Sequence, residues 1–195
     1  FVIDTPDKEN AMLFARVDLP ANLSDADMPA LITADWIIGG SDGLSNRIVN
    51  RLRQKEGLSY GSGSNITLPS FGNRAKWSVG AIVAPQNLAQ AEKSLKDELA
   101  RAYRDGITEA ELAEAKRGII GSRAVNRAQD GMVASNWVNN LETGRTWQFS
   151  KETEAAIEAL TVEDVNKALR RFCDVSKLTF ALAGDLAKAK VAGKD

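Results

Sequence analysis

The residues whose types and spacing are most suggestive of chemistry are Arg53 and Tyr60, which form an R-x6-Y pair. A four-residue hydrophobic spacing predicts a helix from Leu44 to about Lys55, and Gly57 would end it. Tyr60 then opens a predicted strand. Because a helix end and the start of the next strand lie close together, the guanidinium and the phenol are expected to reach one surface.

The strand that follows carries two glycines, Gly61 and Gly63, on either side of Ser62. Glycines two residues apart in a strand leave one face without side chains, often where another backbone approaches. The sequence up to Ser64 therefore supports the hypothesis of a surface that receives an extended peptide.

Arg53 and Tyr60 also have a purely structural interpretation. The arginine can form an ion pair with Glu56, and the tyrosine can begin a strand with its hydroxyl in water. The helical spacing places Arg47 and Arg51 toward solvent, whereas Arg53 lies beside the buried stripe and is expected to be partly covered. Spacing alone does not decide between the two interpretations.

Composition excludes several classes of function. The 195 residues carry a net charge of −1 with no histidine, and 44% are hydrophobic. This balance argues against nucleic acid or anionic lipid as the main partner. No apolar run approaches the roughly eighteen residues of a membrane span. The first residues, FVIDTPDKEN, lack a signal-peptide pattern and an initiator Met, so a piece of a longer protein or a processed form is expected.

The lack of histidine also limits the chemistry. Structural and catalytic zinc sites and Ser–His or Cys–His nucleophile pairs all need residues that are missing here, and the single cysteine, Cys173, cannot form an internal disulfide. The GLSYG segment at 57–61 matches a nucleophile elbow, but its predicted order is helix then strand, the reverse of an elbow. Gly39, Gly40 and Gly43 fit a helix end and tight turn better than a phosphate loop.

The hydrophobic pattern predicts a single α+β domain over residues 1–195. A largely antiparallel sheet is expected, with helices packed on one side. Asp27 is expected to cap the first helix, and glycines are expected to break a long helix between Gly121 and Gly131. The predicted elements in order are strand 10–19, helix 27–38, helix 44–55, strands 60–68 and 74–83, helix 86–104, a long helix 108–141, helix 152–160, a helix from 161, and a strand from 178.

Several runs together resemble the insulinase-like M16 zinc peptidases. They are DTPDKENAMLFARVDLP, DMPALITADWIIGG, SNRIVNRLRQKEGLSYGSGS, APQNL, DGITEAELAEAKRGI, ALTVEDVNKALR and LAGDL, and they cover nearly the whole chain. The resemblance implies an M16/LuxS-like metallohydrolase fold. It is strongest to the C-terminal, non-zinc-binding type of domain, most like the last domain of large four-domain bacterial members.

The resemblance assigns roles to the arginine–tyrosine pair. The family's H-x-x-E-H zinc motif is missing here, so no catalytic residue or metal ligand is carried over. The pair of the family's C-terminal half matches Arg53 and Tyr60. Tyr60 would hydrogen-bond the substrate backbone or the developing oxyanion, and Arg53 would bind a substrate carbonyl or hold Tyr60 in place. Gly61, Ser62 and Gly63 would lie beside the substrate.

By this resemblance the chain would be the substrate-binding, chamber-closing domain of a zinc endopeptidase. Its partners would be a peptide and the His-bearing M16 catalytic domain, which would hold Zn²⁺; the chain alone would bind none and be inactive. A periplasmic location follows only by analogy with bacterial relatives. The alternatives are an inactive structural subunit and an interaction module of the same fold.

Overall fold

A five-stranded sheet is the central element of the computed structural model, which describes residues 1–40 and 45–191. Its strands are β1 (Val2–Asp4), β2 (Ala11–Leu19), β3 (Ser59–Thr67), β4 (Ala75–Val83) and β5 (Thr179–Gly184). They lie in the order β1-β5-β2-β4-β3. Only the β1–β5 pair of this sheet is parallel, so the predicted largely antiparallel sheet is confirmed. The sequence did not predict β1, because three residues are too few for a period to show.

The described helices follow the predicted order with shifted ends, except that the last one, over residues 186–191, was not predicted. They are α1 (Met28–Ile38), α2 (Arg47–Val49), α3 (Leu88–Asp105), α4 (Glu109–Arg127), α5 (Asp130–Thr143), α6 (Trp147–Ala159), α7 (Val162–Phe172) and α8 (Leu186–Val191). The predicted break in the long helix is confirmed, since α4 ends at Arg127 and α5 begins at Asp130. The capping box of Thr108 with Glu111 is also present. Gly43 and Leu44, part of the predicted turn and helix, lie outside the described residues.

The sheet has one covered face and one open face. Along β2, residues at alternate positions from Ala11 to Leu19 are buried against the helices. Met12 and Phe14, on the opposite face, are 49% and 39% exposed. The strand register shows which residues of the neighbouring strands share this second face, which is called the open face below. They are Gly61 and Gly63 of β3, Gly80 and Ile82 of β4, and Met12 and Phe14 of β2.

A buried carboxylate, Asp35 of α1, joins the helix layer to the edge of the sheet. Its Oδ1 accepts hydrogen bonds from Ser64 Oγ at 2.6 Å and Trp77 Nε1 at 2.9 Å. Its Oδ2 accepts from the backbone N–H of Ile66 at 3.2 Å. Burial raises the pKa of Asp35, and these three hydrogen bonds oppose the rise. The group therefore fixes α1, β3 and β4 relative to one another.

The expected role of Asp27 is wrong. It sits at the N-cap position of α1 but makes no side-chain cap hydrogen bond. Its carboxylate instead accepts a hydrogen bond from Arg171 at the end of α7. A charged partner from a distant part of the chain has replaced the local cap.

Replacing Asp35 by asparagine is expected to lower the free energy of unfolding by about 1–3 kcal/mol. An amide has one acceptor oxygen, so its NH₂ group would face either the Ile66 N–H or the Trp77 and Ser64 donors. Urea denaturation measures the change. Asp18→Asn, in an exposed ion pair with Arg74, is the matched control and should cost less than about 1 kcal/mol. Equal losses in both variants would contradict the role assigned to Asp35.

Candidate functional site

Arg53 lies in a π-helical turn, Asn50–Lys55, that continues α2. The buried Asn46 begins this segment, since its side-chain oxygen accepts from the Val49 N–H at 2.9 Å. The wider π turn changes where side chains point relative to an α-helix, and such turns are frequent at functional sites. Arg53 is exposed here, so the expectation that it is partly covered is wrong. The expectation assumed α-helical spacing, which the π turn does not follow.

Arg47 anchors this segment to the helix layer. It was expected to face solvent, but it is only 12% exposed and its Nε lies 2.6 Å from Glu111 Oε1 on α4. Its Nη2 also donates to the Gly106 carbonyl oxygen at 2.8 Å. Partial burial would raise the pKa of Glu111, but hydrogen bonds from Arg47 and Thr108, with the charge of Arg47, outweigh it and lower the pKa to about 2. Helix periodicity could not show this pairing, because α4 is distant in sequence.

Glu56 holds the other end of the segment. It forms an ion pair with Arg51, not with Arg53, and it accepts a hydrogen bond from Ser94 Oγ on α3 at 2.6 Å. Within residues 1–40 and 45–191, Arg53 makes no ion pair or side-chain hydrogen bond. The Arg53–Glu56 pair of the structural interpretation is therefore not formed, and the guanidinium is free to meet a ligand.

Tyr60 is the extra residue of a β-bulge. The β3–β4 register pairs Ser59 with Val83 and Gly61 with Ile82, and it shifts between them at Tyr60. A bulge redirects a side chain, and bulges are over-represented beside active sites. The Tyr60 side chain is accordingly 72% exposed. A hydrogen bond from the Leu58 N–H to the Leu52 carbonyl oxygen, 2.8 Å long, ties the start of β3 to the segment that carries Arg53.

The two glycines of β3 have different surroundings. A Cβ at Gly63 would lie 2.7 Å from the carbonyl oxygen of Gly39, so this chain's own backbone requires a glycine there. A Cβ at Gly61 would meet nothing nearer than Ile82 Cδ1, at 4.0 Å. Ser62 pairs with Ala81 of the covered face, and its Oγ is buried without a hydrogen-bond partner among the described residues. Gly61 is therefore the residue of this segment that leaves backbone open.

The outer edge of β3 is partly occupied. The Ser64 N–H donates to the Gly39 carbonyl oxygen at 2.6 Å, and the Ile66 N–H donates to Asp35. A peptide cannot add as a further strand over these two residues. The open face beside them forms a shallow depression of about 310 Å³, lined mostly by backbone and by Met12, Phe14 and Ile82. An extended ligand would find an apolar floor there, with the Arg53–Tyr60 segment at one end.

The described residues do not fit a metal site. No group of three or more Cys, Asp or Glu side chains within residues 1–40 and 45–191 is placed to hold a metal ion. Cys173 is buried, and burial raises the pKa of its thiol. The zinc of the M16 zinc peptidases therefore has no ligand set in this part of the chain. None of the described helices combines the length and the apolar character that crossing a membrane requires.

The sequence matches the model of the peptidase M16 inactive domain over residues 1–119. The match covers more than half of the chain, so the chain belongs to the M16 peptidase family, in its inactive-domain class. This confirms the resemblance inferred from the sequence. No curated protein matches the sequence closely enough to add to this.

Solved structures share the fold. The peptidase M16 inactive domain from Pseudomonas fluorescens has a TM-score of 0.82 at 24% identity, over 94% of this chain and 42% of that chain. A protease from Helicobacter pylori gives 0.81 at 18%, over 94% and 43%. A chain of complex III from Candida albicans gives 0.75 at 16%, over 98% and 48%. The present chain thus spans less than half of each of these chains, and the expected place as the last of four domains stays a prediction.

The Arg47–Glu111 pair should give stability that depends on pH. The pKa of Glu111 falls from an ordinary 4.5 to about 2 on folding, so the stabilisation is complete above about pH 4.5 and is lost as the pH falls toward 2. Urea denaturation of the wild type and Glu111→Gln at pH 7 and pH 3 measures this. The difference between the two proteins should be larger at pH 7, and a constant difference would contradict the assignment.

The glycines of β3 should respond differently to substitution. Gly61→Val should change the free energy of unfolding by less than about 1 kcal/mol, because valine suits a strand and the space is open. Gly63→Ala should cost about 1–3 kcal/mol, because its Cβ overlaps the Gly39 carbonyl oxygen. Thermal or urea unfolding tests both, and a tolerated Gly63→Ala would contradict the close approach of β3 to Gly39.

Proposed function

We propose that this chain is the substrate-contacting, chamber-closing half of a zinc-dependent M16 endopeptidase. In this role it contacts the peptide while hydrolysis takes place at zinc held by another, His-bearing domain. The observation that carries the proposal is the placement of Arg53 and Tyr60: both are exposed, and they lie on the π turn and the β-bulge that hydrogen-bond to each other through Leu52 and Leu58.

The chemistry of the two side chains suits a peptide near its scissile bond. The phenol of Tyr60 can donate to a substrate carbonyl or to the oxyanion that develops as water attacks the peptide bond. The guanidinium of Arg53 can donate to a second carbonyl or orient the phenol. A donor placed where charge develops contributes about 3–4 kcal/mol in well-studied hydrolases. Such placement requires a rigid support, and the contacts of Arg47 and Glu56 supply it.

The open face gives the same peptide a surface to lie on. Met12, Phe14 and Ile82 provide apolar contacts, and Gly61 exposes backbone beside Tyr60. Since Ser64 and Ile66 already use their outward N–H groups, the peptide lies across the face of the sheet and does not extend its edge. In this arrangement Gly61, Ser62 and Gly63 contact the substrate chiefly through their backbone.

A structural subunit without catalytic partnership is the second candidate. The likeness to a chain of complex III from Candida albicans favours it, because that assembly shares the fold. In this case Arg53 and Tyr60 would be ordinary surface residues, and their replacement would leave any peptidase activity of the assembly unchanged. An interaction module of the same fold would behave alike and would not associate with an M16 catalytic domain.

Peptide hydrolysis by the complete peptidase, with this chain present, separates these candidates. Arg53→Ala and Tyr60→Phe should each lower kcat/KM about ten-fold or more at matched zinc content, which corresponds to at least about 1.4 kcal/mol of lost transition-state stabilisation. Gly61→Val, which is expected to fold because the space around Gly61 is open, should raise KM since its side chain covers the exposed backbone.

The matched controls are Tyr103→Phe and Arg117→Ala. Tyr103 is the second tyrosine of the chain and Arg117 is an exposed arginine of α4. Both should keep kcat/KM within about two-fold of the wild type. If the Arg53 and Tyr60 variants also stay within that range, the chain is a scaffold and the proposal is wrong.

A further inference from the structure

A polar cavity, separate from the depression on the open face, lies at the far end of β3. It has a volume of about 480 Å³ and is enclosed by α4, α5, the start of α6 and the loops that contain Leu23 and Ser70. Leu68, just after β3, also lines it. At about 3.3 Å per residue, the eight residues from Tyr60 to Leu68 span about 26 Å, so this cavity is separate from the Arg53–Tyr60 surface.

The charged side chains that the structure places in the cavity wall are all arginines: Arg123, Arg127 and Arg145. Arg123 and Arg127 both contact the same oxygen of one carboxylate, Glu154. Arg145 donates to Ser24 Oγ at 2.9 Å and stacks on the Phe149 ring at 4.4 Å. Two of the three guanidinium groups thus share a single carboxylate, and the third has no carboxylate partner among the described residues, which leaves the cavity positively charged and able to attract an anion.

Four asparagines line the same cavity: Asn126, Asn136, Asn139 and Asn140. Within the described ranges, none of their side-chain amides forms a hydrogen bond with another protein group. Each amide offers two donors and one acceptor. This complement matches the N–H and C=O of a peptide unit, so a peptide backbone can use the amides while the arginines bind a carboxylate.

An aromatic wall completes the cavity. Trp147 lines it and is stacked on Trp137 with ring centroids 5.9 Å apart. An aromatic ring gives an extended chain an apolar surface between its polar contacts. The stacking also places an intrinsic fluorophore at the site.

We propose that this cavity binds an acidic segment of a peptide, with a Glu or Asp carboxylate on the arginines and the flanking backbone on the asparagine amides. The inference rests on the proposed function in taking a peptide as the ligand. It adds that the substrate is acidic at a position about eight extended residues from the part that meets Tyr60.

Binding of short acetylated and amidated peptides to the isolated chain tests the proposal, with calorimetry and intrinsic tryptophan fluorescence, to which Trp147 contributes, as the readouts. A peptide with two central glutamates should bind about ten-fold or more tightly than the same peptide with glutamines, and a lysine version should not bind. Equal affinity for the glutamate and glutamine peptides, or no binding of either, would overturn the proposal. If inorganic phosphate or free glutamate binds as tightly as the peptide, the cavity is a small-anion site and the peptide assignment is wrong.

Asn136→Asp provides the decisive variant. It changes one amide to a carboxylate of the same shape, on a helix with no buried residues, so the fold should be retained. Affinity for the glutamate peptide should fall about ten-fold or more. Ser135→Asp adds the same charge at an exposed neighbour outside the cavity and should change affinity by less than about two-fold. Equal effects of the two substitutions would show that only the overall charge of the chain affects binding, and would contradict the proposed site.

These binding measurements are independent of turnover. If the cavity does not bind the glutamate peptide, the kinetic effects expected for Arg53→Ala and Tyr60→Phe are unaffected. Loss of those kinetic effects, with binding to the isolated chain retained, would instead remove the proposed role in hydrolysis.

Discussion

The Asp35 carboxylate is the interaction on which the candidate site depends. It lies in the helix layer, yet it accepts from Ser64 and Ile66 at the sheet edge and from the Trp77 indole in the core. The burial of a carboxylate costs free energy, and hydrogen bonds must compensate for it. Because the donors come from two strands, the carboxylate determines how closely α1 and β3 approach.

That approach has consequences along β3. The end of α1 comes so near that Gly39 and Gly63 must both lack side chains, and the Gly39 carbonyl oxygen occupies the Ser64 N–H. The edge of the sheet is thereby protected against addition of another strand. What stays accessible is the bulge at Tyr60, the backbone at Gly61 and the open face beside them. A single buried polar group therefore leaves the open face of the sheet accessible, and not its edge beside Ser64 and Ile66.

Contacts between residues that are distant in sequence hold the irregular segment that carries Arg53 in place. The π turn with Arg53 is held by Arg47–Glu111 on one side and by Glu56–Ser94 on the other. Anchors of this kind hold the backbone that carries Arg53 in place, which limits where its exposed side chain can reach. Under the proposed function, such a domain would contribute positioning and charge to hydrolysis, with no metal ligand of its own among the described residues.

The second cavity also depends on residues from several separate elements of the fold. Three of its asparagines lie on α5, which has no buried residues; Asn126, Arg123 and Arg127 lie on α4, and Arg145 lies in the loop before α6, so no single helix carries all of the lining side chains. Helical periodicity marks these residues only as polar positions. Their convergence depends on the angle between α4 and α5, which the break between Arg127 and Asp130 sets.

The sequence alone determined the fold class, the order of most elements, the family and the limits on chemistry, because these follow from local patterns and residue types. Alternating residues predicted β2, glycines predicted the break between α4 and α5, and the lack of histidine excluded the family's H-x-x-E-H zinc motif. Only the tertiary structure decided the positions of Arg47, Asp27 and Asp35, because their partners are distant in the chain. It alone also decided the π turn at Arg53 and the bulge at Tyr60, since both depart from the regular spacing that sequence patterns assume.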